Sequence, residues 1–200
     1  MKLINLELEN FRAFRGQQQL AFASGTPGNV TVLYGNNGAG KTTLLNAFKW
    51  CLYGVLDADV EYPHRLIHDG VWSEASLGEA VVGAVTLSFE HEDRIFRMRR
   101  AVRTIKGSGD QRHGEHDVTL TVTEPDGSTR DVVAWLDSIK LVLPEELSQF
   151  FFFNGERIEH LVQRDAYSDI QRAIKTLLGL SQLERAIEHL PKAAKDFTDE

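Results

Sequence analysis

One cysteine, Cys51, is present in the 200-residue chain. An internal disulfide is therefore excluded, and the flanking Trp50, Leu52 and Tyr53 make Cys51 a filler of apolar space instead of a nucleophile. A reducing cytosol is the expected compartment. No apolar run reaches the ~18 residues that cross a bilayer, and the opening "MKLINLELENFRAF" alternates charge with apolar side chains where a signal peptide would be continuously apolar. Basic excess is lacking too: 22 Lys and Arg against 29 Asp and Glu leave a net charge of −7. Affinity for nucleic acid then has no general electrostatic source, so any DNA contact is local or made through a partner. The seven histidines show no metal-ligand spacing, since His64 and His68 fall in a segment with little helical pattern and His113 and His116 in a polar, Gly-rich stretch. No internal repeat or low-complexity tract is present.

What remains is a globular composition, 42% apolar and 26% charged, long enough to bury a core. The opening residues Leu3 to Leu8 have the period of two of a half-buried strand. Leu20 to Phe22 predicts a second strand and Val30 to Tyr34 a third, compact and apolar. From Lys41 the pattern turns helical, with Leu44, Leu45, Phe48, Cys51 and Leu52 on one face and Gly54 at the end. Residues 55–79 read as irregular. "AVVGAVTLSFEHEDRIFRMRRAVR" reads as a β-hairpin turned near Glu92-Asp93, Lys106 to Asp117 as a loop, and "VTLTVTEPDGSTRDVV" as a strand pair turned at Pro125-Asp126-Gly127. Helix returns near Ala134 and again beyond Phe150, where Leu180, Leu183, Ile187, Leu190, Ala194 and Phe197 carry the spacing of a coiled-coil seam, interrupted by Pro191.

The segment "GNNGAGKTT" fits G-x-x-x-x-G-K-[ST] through Gly35, Gly40, Lys41 and Thr42, between the apolar Val30–Tyr34 run and the amphipathic helix. Glycines let successive N–H groups of Asn36, Asn37, Gly38, Ala39 and Gly40 curl around a phosphate without Cβ clashes, and the helix start adds the positive end of its dipole. ATP with Mg²⁺ is the implied ligand: Lys41 reaches the β- and γ-phosphates, Thr42 offers its hydroxyl to the metal, and Thr43 touches the α-phosphate. No other metal is expected. An apolar strand ending in Asp or Asp-Glu is missing. The nearest run, "LVLPEE" at Leu141 to Glu146, contains Pro144, and "LGLSQLE" at Leu178 to Glu184 lacks the paired glycines of an ABC-type signature.

Three features together resemble the N-terminal half of an SMC-like ATPase head, the family that includes SbcC. "LELENFRAF" is similar to its N-F-R-S-F opening, "LYGNNGAGKTTLLNAFKWCLYG" to its phosphate loop and helix, and "FFFNGERIEHL" to its Q-loop. Within that family the aromatic run before Asn154-Gly155-Glu156 resembles DndD, the ATPase of DNA phosphorothioate modification. From the residues alone, Phe150 to Phe153 reads as a buried strand. The resemblance implies an α/β fold: the N-terminal lobe of an ABC-type head over residues 1–165, a mixed sheet with an added antiparallel layer, and a helix at 166–200 entering a coiled coil. It implies that Arg12 reaches the nucleotide or couples it to a partner subunit. In the Q-loop it puts Asn154 where Gln is usual, an amide able to face Mg²⁺ or the attacking water but one methylene shorter, reaching the metal directly or through a bridging water. The other catalytic group is Lys41. Implied partners are the protein's own C-terminal ATPase half, a second head engaged through ATP, and DNA.

Six basic residues, Arg94, Arg97, Arg99, Arg100, Arg103 and Lys106, occur without an intervening acid, with Arg97 and Arg99 on one hairpin face. They are either a solvated sheet face or a contact for DNA or a partner protein. Three functions are open at this point: an SMC-type ATPase of DNA repair or modification, a non-hydrolysing nucleotide switch that scaffolds partners, and a transporter's ABC subunit. The N-F-R opening and the heptad-like end have no use in the third. Hydrolysis is expected to need the C-terminal half.

Overall fold

The computed structural model describes residues 1–25, 28–58, 60–108 and 114–152, together with Lys175, Leu180, Ile187 and His189. Two compact units divide the chain, Met1–Phe152 and Phe153–Glu200. The first is a six-stranded sheet with one long helix on its inner face. The strands are β1 (Lys2–Glu9), β2 (Gln17–Ala21), β3 (Ala80–His91), β4 (Arg94–Ile105), β5 (Glu115–Thr123) and β6 (Thr129–Asp131), in the order β2-β1-β3-β4-β5-β6. The helices are α1 (Lys41–Tyr53), α2 (Asp69–Glu74), α3 (Trp135–Val142) and α4 (Ser148–Phe151).

Period-two patterning decides which side chains meet the helix. In β4 the residues Phe96, Met98, Arg100, Val102 and Thr104 turn inward and are buried, while Arg97 and Arg103 are exposed. The β3–β4 hairpin is turned by Glu92 and Asp93, with φ of 50° and 60°, the two left-handed residues a two-residue hairpin turn requires. The β5–β6 pair turns at Pro125 to Gly127, as the sequence predicts, with Gly127 at φ 84°. At the other end of the sheet Leu6 and Leu8 of β1 are buried.

Helix α1 packs Asn46, Ala47, Phe48, Trp50, Cys51 and Leu52 into the core. The expected face is shifted by part of a turn: Leu44 and Leu45 are half-buried, and Trp50 instead takes the centre, its ring 5.2 Å from that of Phe11. Gly54 ends the helix in a left-handed conformation, φ 78°, with its N–H donated to Trp50 O. The Arg100 side chain comes from β4 to the same helix end and donates from Nε to Cys51 O at 3.0 Å, where a cation also meets the negative end of the helix dipole. Its guanidinium lies over the Trp135 ring of α3 at 5.1 Å, and burial pushes its pKa below the ordinary arginine value.

The structure corrects several expectations. No strand forms over Val30 to Tyr34; Val30, Val32 and Tyr34 expose 75%, 83% and 97% of their surface. The β-branched run meets the propensity of a strand, but a strand also needs a neighbour's carbonyls and amides, and none pairs with it among the described residues. The sheet described is accordingly antiparallel throughout, not mixed. Within 55–79, read as irregular, α2 forms because His68 caps it, Nδ1 accepting from Gly70 N at 3.0 Å and Val71 N at 3.4 Å. Part of the expected loop, Glu115 to Asp117, belongs to β5. Phe150 and Phe151 end a short helix where a buried strand was the residue-level reading, and Phe152 stacks on Phe48 at 5.7 Å. In the second unit Leu180 and Ile187 are helical, one heptad apart and exposed; the remaining seam positions lie outside the described residues.

Cys51 tests the seating of α1 on the sheet. Its Sγ lies 3.6 Å from Val85 O and 3.5 Å from Met98 O, and burial pushes the thiol up to about 12 from 9.0. A thiol raised in this way favours the folded state fully below pH 9 and loses that contribution as pH climbs toward 12. The native chain should leave Cys51 unalkylated at pH 8 and react fully once unfolded in guanidinium, as read by intact mass. Rapid alkylation of the folded chain would mean that α1 is not held where Cys51 is buried.

Candidate phosphate-binding site

Gly35 to Gly40 carry the chain from the exposed Val30–Tyr34 segment into α1. Ala39 N–H donates to Asn36 O at 3.1 Å and closes a turn, while Gly38 and Gly40 take φ values of 82° and 92° that side-chain-bearing residues rarely adopt. Gly40 is the N-cap: its carbonyl accepts the first helical bond, from Leu44 N at 2.9 Å. No side chain caps this end, and the first turn carries no acid. The first amides of a helix have no acceptor within it, so those of Lys41, Thr42 and Thr43 open toward an external anion at the positive end of the dipole.

Lys41 folds back over the loop, Nζ donating to Gly35 O at 2.7 Å and Asn36 O at 2.8 Å. An ammonium, two left-handed glycines and an uncapped helix start thus converge within six residues, and their chemistry fits a phosphate chain. Asn36, Asn37, Gly38, Ala39 and Thr42 are exposed and Thr43 is half-buried. Thr42 sits in the first turn with its side chain in solvent, a hydroxyl available to a phosphate-bound cation. Among the described residues no group of three or more His, Cys, Asp and Glu is placed to hold a metal by itself.

The helix behind the loop is pinned by polar contacts that pattern reading missed. Buried Asn46 donates from Nδ2 to Thr42 O at 3.0 Å and accepts Asp57 N–H at 2.7 Å through Oδ1. Lys49 pairs with Asp57 at 2.5 Å, both side chains largely buried. Asn46 and Lys49 differ by three and so share a helix face; that spacing is the one signal the sequence offered, and nothing in it pointed to Asp57.

Arg12 is committed to the backbone of residues 61–65. It lies at φ 50° in the turn after β1, and its guanidinium donates to the carbonyls of Glu61, Tyr62 and Arg65 at 3.0, 3.3 and 3.2 Å. Burial lowers its pKa, opposed by the charge of Asp69. Asn154, the expected Q-loop amide, lies outside the described residues. The basic row divides between faces: Arg100 is buried inside, whereas Arg97 pairs with Glu7 at 2.8 Å and Arg99 with Glu9 at 3.3 Å across β3 on the outer face, and Arg94 pairs with Glu124 at 2.8 Å. Arg103 is exposed. On the outer face the charges of Arg97 and Arg99 are therefore each met by a glutamate.

Over residues 5–200 the sequence matches the family described as AAA domain. The DNA double-strand break repair Rad50 ATPase of Halobacterium salinarum is 29% identical over 92% of this chain and 19% of its own length. The probable DNA double-strand break repair Rad50 ATPase of Aquifex aeolicus is 24% identical over 99% of this chain and 20% of its own. This chain thus spans about a fifth of the length of these relatives. Among solved structures the SMC head domain from Thermotoga maritima is similar at a TM-score of 0.45 and 24% identity, over 71% of this chain and 42% of that one.

The outer-face pairs are half-exposed, and pairs of that kind contribute about 0.2–1 kcal/mol. A double-mutant cycle of Arg97→Ala and Glu7→Ala, measured by urea unfolding, should give a coupling within that range and should shrink in 1 M salt. A coupling above about 2 kcal/mol, or one indifferent to salt, would show a desolvated pair and a covered face.

Proposed function

We propose a function from one premise: the chain belongs to the AAA domain family over residues 5–200. The protein is the ATP-binding part of an SMC-like P-loop ATPase head that acts in DNA metabolism. The observation carrying this is the uncapped start of α1 beneath Lys41, with Gly38 and Gly40 left-handed beside it. On phosphate binding, Lys41 Nζ exchanges two backbone carbonyls for phosphate oxygens, a charge-assisted bond worth about 1.5–3 kcal/mol. The loop amides orient the phosphate chain, and Thr42 and Thr43 present hydroxyls at its edge. Thr42 and the amide of Asn154 would be the groups that hold magnesium bound with the nucleotide, which would supply neutralisation of phosphate charge there.

The exposed Val30–Tyr34 run supports the half-site part of the reading. A β-prone apolar segment leading directly into the loop, unpaired among the described residues, is suited to a strand supplied by the protein's own C-terminal ATPase half. That half also brings the acid that holds magnesium and the catalytic carboxylate. Two heads then engage through ATP, with DNA bound directly or through partner subunits; Arg12 couples nucleotide to the partner. Leu180 and Ile187 on one helical heptad support entry into a coiled coil. Within DNA metabolism, the aromatic run ahead of Asn154-Gly155-Glu156 supports DNA sulfur modification by a DndD-like ATPase, and break repair is the alternative. The protein acts in the cytoplasm.

Lys41→Ala should abolish MgATP binding in calorimetric titration while leaving thermal unfolding within a few degrees of wild type. Equal affinity in the two would remove the phosphate cradle. The 200-residue chain alone should release phosphate from ATP no faster than the Lys41→Ala variant. Turnover that depends on Lys41 in this chain alone would place a catalytic acid inside it, with Glu145 and Glu146 the first to replace. No turnover even with the C-terminal half added would favour a non-hydrolysing switch.

A further inference from the structure

The turn between β1 and β2 makes four separate attachments. Its backbone closes on itself, Asn10 N donating to Gly16 O at 2.9 Å, Gly16 N to Asn10 Oδ1 at 2.9 Å and Phe14 N to Phe11 O at 2.9 Å. Phe11 is fully buried beneath Trp50 of α1. Arg12 is fixed on the carbonyls of residues 61–65, and Arg15 pairs with Glu74 of α2 at 2.6 Å. The fourth attachment is Phe14, whose half-buried ring points at the phosphate loop. A Cβ built on Gly40 would meet Phe14 Cζ at 2.9 Å, Cε2 at 3.4 Å and Cε1 at 3.6 Å. The tip of the ring occupies the space a side chain at position 40 would fill.

From this contact we infer that Phe14 is a positioning residue for the phosphate loop: its ring, carried on a rigid turn, holds Gly40 in the left-handed conformation that aims the first amides of α1 at the phosphates. The inference rests on the phosphate-site reading above. Gly40 has two reasons to be glycine, a φ of 92° and the ring tip, and the second makes the loop's geometry depend on a residue 26 positions earlier. With the ring removed, the peptide on either side of Gly40 regains room to rotate, and glycine resists such rotation less than any other residue. A binding geometry that relies on several aligned donors loses affinity steeply with small misplacements. The contact geometry also makes a directional demand. Cζ is the nearest atom, so a hydroxyl added there runs into the loop, whereas leucine keeps bulk without reaching as far.

Titrating MgATP into the full chain by calorimetry tests this with Phe14→Ala, Phe14→Tyr, Phe14→Leu and Lys41→Ala. Phe14→Ala and Phe14→Tyr should each weaken binding roughly tenfold at unchanged stoichiometry, and Phe14→Leu by about threefold or less. Stoichiometry separates this from a merely structural role, in which fewer molecules bind but those that bind keep the wild-type Kd. Phe14→Tyr retains the ring's core contacts, so it carries the test if Phe14→Ala does not fold. Wild-type Kd values in both Phe14→Tyr and any folded Phe14→Ala overturn the inference while leaving the phosphate site standing. A folded wild-type chain that binds no MgATP removes the phosphate site itself, and the positioning role with it.

Discussion

Everything described in the first unit depends on the seating of α1 against the inner face of the antiparallel sheet. The helix carries the phosphate loop at its N-terminus, and its direction is set at the other end. There Gly54 turns the chain, Arg100 binds the carbonyl of Cys51, and Cys51 itself lies between the strands at Val85 and Met98. Trp50 against Phe11 fills the centre. These contacts are close-packed and directional, so rotating the helix would open a void under Trp50 and strand the Arg100 guanidinium in apolar surroundings. A loop mounted on such a helix inherits its fixed orientation, and orientation is what a row of backbone amides needs to bind a phosphate chain.

Polar contacts along α1 extend the same constraint. Asn46 ties Thr42 to the backbone at Asp57, and the Lys49–Asp57 pair fixes the chain leaving the helix. Buried groups of this kind add little net stability when satisfied, yet cost several kcal/mol when one partner is removed, so they act chiefly to specify one arrangement. The turn of residues 10–16 serves similarly from the opposite side, through Phe11 in the core and Phe14 on Gly40.

The two faces of the sheet have different chemistry because strand periodicity sorts the arginines of β4. Arg100 faces inward and is committed to the helix end. Arg97 and Arg99 face outward and meet Glu7 and Glu9, which reach them over the small side chains of β3. Two arginines of a basic stretch in sequence are thus each matched by an acid in space. Before the phosphate loop Val30, Val32, Leu33 and Tyr34 form a nearly continuous apolar run that faces solvent.

The sequence by itself determined the elements whose signal is local. These are the β3–β4 hairpin with its Glu92-Asp93 turn, the helix from Lys41 to Gly54, the turn ending at Gly127, and the phosphate loop, because periodicity, glycine placement and turn chemistry act within a few residues. Tertiary structure alone decided four things. The run from Val30 to Tyr34 stays unpaired among the described residues, since strand formation depends on a neighbour that propensity cannot see. The row of arginines is split and neutralised by acids that lie ~90 positions away in sequence for Arg97 and Arg99. Arg12 rests on the carbonyls of residues 61–65. Phe14 reaches Gly40, since contacts between segments far apart in the chain are fixed by packing and leave no periodic trace in either segment.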